Sequence, residues 1–372
     1  MQNRRQNYIS KEFFSIFSPF YFINSILCMR KYNISGSNVE IVTIKNIVGT
    51  IFVTCAMIGY YYATMKFTIF KTIEYISIYN VIYFEYLFNF VSVCIFNLCY
   101  STKNVRLVFI LYDINRSLYR SSDTKKFKKV SCISTVFLFG FCFALTVFKL
   151  FYDPYWTLMR ALYVSSSILL DLELVHISIV IYMLTSKMKL WNTNTKSVDL
   201  GHNNDEIAID KVSVLEELER AIISMNDAWN IIVKTSGFNI LIHFITTFIQ
   251  VLVYVGVLII WSHAEFEDFD VAISHVFGVL LWVTKVFAVE LGLCLACEAF
   301  YKELLRAQVV VVFKLSQDFT LKKVWKNILR ILNQEFDPLT ACGMFTIETA
   351  TLLNFCKLVA TYTIVILQFA FL

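Results

Sequence analysis

Long apolar runs alternate with polar links along most of this chain. Positions 43–66, 77–100, 130–151, 155–186, 238–261, 271–300 and 343–372 are each rich in Ile, Leu, Val, Phe and Tyr and poor in charge. At a helical rise of ~1.5 Å per residue, about twenty such residues cover the ~30 Å of a bilayer's hydrocarbon core. The pattern therefore predicts an all-α polytopic membrane protein with seven transmembrane helices. A further apolar stretch, 13–28, is broken by Pro19 and Asn24 and followed by Arg30 and Lys31. It predicts a short buried or interfacial helix and is not counted as a span. Two links also carry helical apolar spacing, 105–118 and 207–234, so the helices are expected to extend beyond the bilayer. The link 301–342 reads as a polar, amphipathic helix.

The last run is not uniformly apolar. Asn354, Thr361 and Gln368 lie seven residues apart and share one helix face, with Lys357 beside them. An amide or ammonium facing lipid is costly, so this stripe must meet protein or water. Copies arranged around an axis would line a pore with it. A lone copy would have to turn it inward against its own bundle.

Composition supports the membrane reading. Of 372 residues 58% are hydrophobic and 16% charged, with a mean hydropathy of +0.63, too apolar for an ordinary soluble domain. The net charge of +5 is carried by the links and points to no nucleic-acid partner. Lys and Arg concentrate in the N-terminal segment and in the links after spans two, four and six. The links after spans one, three and five are nearly free of them, and 262–270 is acidic. The positive-inside rule then predicts a cytoplasmic N-terminus and an extracellular C-terminus. Most of the ten cysteines fall inside apolar spans, where a free thiol packs as a small hydrophobe. Cys294 and Cys297 have redox or zinc spacing but no second ligand pair, and packing is the expected role. Asp171, Glu173 and His176 lie in the fourth span. Asp171 and Glu173 are two apart and point to different helix faces, so ion pairing with Lys285 or a neighbouring link is expected rather than a proton relay. No phosphate loop, nucleophile elbow or zinc cluster is present. No enzyme activity, metal or cofactor is expected.

The end of the chain carries a family signature. Thr361-Tyr362, five apolar residues and Gln368-Phe369 resemble the motif that closes the seventh span of insect gustatory receptors, and 343–348 resembles the start of that span. Glu348 stands where the family often has Asp. The inverted orientation and long basic links agree with the family over the whole chain. The resemblance implies a ligand-gated, nonselective cation channel in the plasma membrane, opened by a small-molecule tastant. It also implies a homotetramer, or a heteromer with other gustatory receptors, built around the seventh helices. A G-protein-coupled chemoreceptor and a secondary transporter are the alternatives.

On this reading residues 1–42 form a cytoplasmic segment and 43–298 the ligand-binding bundle with its cytoplasmic helical extensions. Residues 299–342 form a cytoplasmic anchor helix and 343–372 the pore-lining span. The expected pore and gate residues are Asn354, Thr361, Tyr362, Gln368 and Phe369, with Tyr362 bracing the helix and Phe369 forming a dewetted constriction. The polar and aromatic residues on the outer half of spans two to six make the expected ligand pocket: Tyr79, Tyr83 and Glu85, Trp156 and Tyr163, Gln250 and Tyr254, His275 and Trp282. Aromatic faces with a few polar groups suit a small organic ligand. Glu298 and Glu303 are candidate sources of cation preference. Gln368 replaces the acid that sugar-sensing members often carry, which leans away from that group.

Overall fold

The computed structural model describes residues 9–26, 29–35, 38–68, 73–119, 121–152, 168–197, 205–263, 269–317 and 321–371. Among them it is helical almost throughout. Seven helices are long and apolar enough to cross a membrane. They are α3 (Ile44–Thr68), α4 (Ile73–Cys99), α6 (Ser121–Tyr152), α7 (Ile168–Ser197), α8 (Asp205–His263), α9 (Phe269–Gln317) and α11 (Thr349–Phe371). Between them stand α5 (Ser101–Ser117) and α10 (Lys322–Gln334).

The helices run further than the hydropathy pattern suggests. The helical spacing expected over 207–234 continues through Gly237 into the span, and α8 is one helix of 59 residues, about 88 Å long. The expected boundary at 298–299 falls inside α9, a helix of 49 residues. Both extend far past a bilayer's hydrocarbon core. Polar links read as boundaries because hydropathy changes there, but helical backbone does not need an apolar environment. Residues 299–342, expected as one helix, are the C-terminal end of α9 followed by the separate helix α10.

The C-terminal end of α7, the N-terminal half of α8 and the C-terminal half of α9 hold the largest core. Trp191, Trp229 and Trp325 are fully buried there. The Trp229 indole stacks on Phe300 with ring centroids 4.2 Å apart and donates to the Asp337 carbonyl at 2.7 Å. Trp191 Nε1 donates to the Leu218 carbonyl at 2.9 Å. Trp191 and Trp229 thus bury large apolar areas while their one donor stays satisfied. Cys294 and Cys297 are fully buried in the same core.

The N-terminal segment folds back onto this core. Its short helices α1 (Lys11–Phe14) and α2 (Ser18–Ile26) bury Phe13, Ile16, Phe17, Phe20 and Ile23. With 9 residues, α2 spans about 14 Å and is too short to cross. A hairpin follows, β1 (Asn33–Ser35) pairing antiparallel with β2 (Asn38–Glu40). Lys31, just before it, forms an ion pair with Glu173 on α7. Burial pushes the Tyr32 hydroxyl's pKa up.

The last span begins later than Gly343. Cys342 and Gly343 both have positive φ, 51° and 75°, and Met344 N donates to the Ala341 carbonyl at 3.0 Å. This is a tight turn whose two central residues sit in the left-handed region. Ile347 N donates to the Leu339 carbonyl at 2.9 Å and closes the small hairpin. Only after Glu348 does α11 start. The hairpin presses on α8 at Gly237, where an added Cβ would stand 2.9 Å from the Thr340 carbonyl oxygen. Backbone cannot yield as a flexible side chain can. Gly237→Ala is therefore expected to cost about 1–3 kcal/mol through overpacking. Gly256→Ala, on the same helix with nothing within 4 Å, should be neutral or stabilising by about 0.5–1 kcal/mol. Thermal unfolding of the two variants in detergent checks the contrast.

Candidate functional site: an outer polar cluster and an uncovered last helix

Span α4 brings Glu85, Tyr86 and Asn89 to the interior, since they lie on its buried face. Span α8 supplies Thr246, Gln250 and Tyr254, four residues apart and hence one above the other. Span α9 supplies Trp282. These groups meet. Trp282 Nε1 donates to Gln250 Oε1 at 2.9 Å. Thr246 Oγ1 donates to Asn89 Oδ1 at 3.0 Å. The Tyr86 and Tyr254 hydroxyls are 3.3 Å apart. Four of the expected pocket residues, Glu85, Gln250, Tyr254 and Trp282, thus come together from three helices. Tyr83 is half-buried on α4 beside Tyr86. Trp156 and Tyr163 lie outside the described residues, as do the side chains of Tyr79 and His275.

Directly below lies a network of buried charges. Lys285 Nζ sits 3.5 Å from the centroid of the Trp282 ring and 2.5 Å from Asp171 Oδ2. Asp171 Oδ1 is 2.9 Å from His243 Nε2. His243 Nδ1 is 3.1 Å from Glu290 Oε1, which also accepts from Thr247 Oγ1 at 2.8 Å. Both imidazole nitrogens face carboxylate oxygens, which only accept, so the ring carries both protons. Two acids then balance two cations, as burial of charge requires. The expected pair of Asp171 with Lys285 is present. Glu173 faces the other way, to Lys31 and to Asn97, so the two acids do serve different helix faces. His176 accepts nothing from them; it stands 3.2 Å from Lys31 Nζ between the rings of Phe17 and Phe20. Sequence reasoning missed His243 as the centre of the network. Its signal was available: an ionisable residue within an apolar span needs a partner there. Among the described residues no group of His, Cys, Asp and Glu is arranged to hold a metal ion.

The last helix has one covered face. Leu352 and Val359 are buried, and Phe355, Cys356, Thr363 and Ile366 are half-buried. Phe355 packs edge-on against Phe244 at 5.1 Å. Tyr362 packs edge-on against Phe248 at 5.4 Å. Thr349 Oγ1 donates to Glu298 Oε2 at 2.8 Å and ties the start of the helix to α9. Asn354, Thr361 and Gln368 are all exposed, and Phe369 is 81% exposed. The polar stripe therefore faces away from the chain's own bundle. Glu303 is buried, accepting from Asn192 and pairing with Arg306.

Breaking the charge network should be expensive. Lys285→Met strips Asp171 of its ammonium and is expected to cost about 3–5 kcal/mol. Adding Asp171→Asn should recover much of that loss. Thermal stability of the single and double variants in detergent checks this.

No family model matches the sequence, and no curated protein matches it significantly. Solved structures do match the fold. The structure of the insect olfactory receptor OR5 from Machilis hrabei superposes with a TM-score of 0.61 at 12% identity, covering 96% of this chain and 100% of that chain. The same receptor in complex with eugenol superposes with a TM-score of 0.64 at 14% identity, with the same coverage. At such identity the likeness is one of fold, and it extends over essentially the whole of both chains. The chain is a seven-helix membrane protein with the fold of an insect olfactory receptor.

Proposed function

We propose that this protein is a chemoreceptor of the gustatory type: a nonselective cation channel of the plasma membrane, opened directly by a small-molecule tastant. The carrying observation is the uncovered polar stripe on α11. Asn354, Thr361 and Gln368 point away from the subunit that bears them; the Thr361 hydroxyl donates back to the Lys357 carbonyl at 2.9 Å, but lipid offers the two amides no partner. Copies of the chain, or related receptors, arranged around these helices as a tetramer would place the stripe in water. Gln368 and Phe369 then sit near the outer gate, and Asn354 lines the inner vestibule. The basic links support a cytoplasmic N-terminus and an extracellular C-terminus.

The outer cluster is the proposed tastant pocket. A receptor whose fold matches this one has been solved with eugenol, a small organic molecule, and aromatic walls with few polar groups suit such ligands. The route from pocket to pore is short. Trp282 touches Lys285, Lys285 pairs with Asp171, and Asp171 with His243. The next residue, Phe244, packs on Phe345 and Phe355 beside the turn and the last helix. A ligand that binds the open arrangement more tightly shifts the population toward it.

Patch recording from cells expressing the chain tests the proposal. Ligand-evoked currents should persist in excised, nucleotide-free patches; their loss on excision would indicate a metabotropic receptor. Gln368→Ala and Phe369→Ala should each change leak current, block or ion selectivity by about tenfold or less while leaving surface expression intact. Unchanged permeation in both removes these residues from the gate.

A further inference from the structure

Glu85 is the ionisable group of the outer cluster that no cation among the described residues pairs with. It is 6% exposed, and both carboxyl oxygens are buried without a hydrogen-bond partner. Gln250 and Asn89 lie beside it and offer it only neutral NH2 groups, because their carbonyl oxygens are engaged elsewhere. Gln250 Oε1 accepts from Trp282, and Asn89 Oδ1 from Thr246. Among the described residues no Lys, Arg or His stands within 4 Å of the carboxyl. The nearest buried ammonium in the network, Lys285, is committed to Asp171. The contrast with the other buried acids is sharp. Asp171, Glu173 and Glu290 each face a cationic side chain.

A buried carboxylate without a partner is costly. Around it stand Tyr86, Tyr254 and Trp282, with Tyr83 on the same helix. An acid among aromatic rings is the chemistry that receives an organic ammonium: the carboxylate pairs with the charge, and ring faces attract it further. We infer that Glu85 is the counter-ion for a cationic ligand, and that the pocket takes small protonated amines bearing an apolar or aromatic body. This deepens the proposed function and rests on the outer cluster being the ligand pocket. The neutral groups, Gln250 and the two tyrosine hydroxyls, then fix orientation, and Glu85 discriminates a charged amine from an uncharged alcohol of the same shape. The discrimination is asymmetric. A neutral ligand leaves the acid unpaired, so an alcohol loses more than the missing attraction alone.

Direct binding tests this apart from channel activity. The full-length protein is reconstituted in nanodiscs and titrated with matched pairs: 2-phenylethylamine against 2-phenylethanol, and hexylamine against hexanol. Trp fluorescence and calorimetry supply the readout. Each amine should bind about thirtyfold or more tightly than its alcohol. Glu85→Gln should abolish that preference, and Glu85→Asp should retain part of it. Thermal unfolding confirms that both variants fold. Amine preference without evoked current would uphold this assignment and refute the channel reading. Currents evoked by alcohols and amines alike, unchanged in Glu85→Gln, would overturn the assignment and leave the channel reading intact. No amine preference in any pair, or a preference that survives Glu85→Gln, also overturns it.

Discussion

An amide in hydrocarbon must find a partner, and Gln368 is exposed with none among the described residues of its own chain. That constraint organises the outer surface of the protein. The last helix spends its apolar face, Leu352, Phe355 and Val359, on α8 and α9. What remains outward is Asn354, Thr361 and Gln368 with Phe369 beside them. Lipid-facing helices of the same bundle look different. On α3 the exposed residues include Ile44, Val48, Ile51 and Phe52, which lipid accepts without cost. The contrast between α3 and α11 is what the proposed pore rests on: an apolar surface that suits lipid beside one that carries amides.

Inside the bundle the same constraint operates in reverse. Four ionisable residues from three helices gather into one closed network, and the Lys285 ammonium joins it to the Trp282 ring above. Removing any one member leaves its neighbours charged and dry, so the set fixes the mutual placement of α7, α8 and α9. Because His243 adjoins Phe244, and Phe244 supports Phe355, this rigid centre stands between the outer cluster and the pivot of α11. The inner ends are held differently, by tryptophans whose indoles reach backbone carbonyls. One end of the bundle is thus held by charge and the other by apolar packing.

Much of this was legible from residue pattern alone. Span count followed from hydropathy because a bilayer imposes a length. The polar stripe followed from helical periodicity, and the Asp171–Lys285 pair from the cost of buried charge. Glu85, Gln250, Tyr254 and Trp282 could be grouped in advance because a polar or aromatic side chain within an apolar span invites explanation. Other features were not legible. Hydropathy cannot see that α8 passes Gly237 unbroken, since the helix continues where the solvent changes. Nor can it see that Cys342 and Gly343 turn left-handed, because that depends on the close approach of Thr340 to α8. His243 escaped notice because its partners lie 47 and 72 residues away in sequence. Which way the stripe faced was undecidable until Leu352 and Val359 were seen to be the buried side.

The central claim is that the stripe on α11 meets water between subunits. Thr361→Cys, introduced into the full-length protein in native membranes, reads this most directly. A charged, water-soluble thiol reagent should modify position 361 at a rate well above the background of the unaltered chain. Ligand should change that rate. Modification only by an apolar, membrane-permeant maleimide, with no reaction toward the charged reagent in either condition, would place the stripe in lipid or in protein and contradict the account.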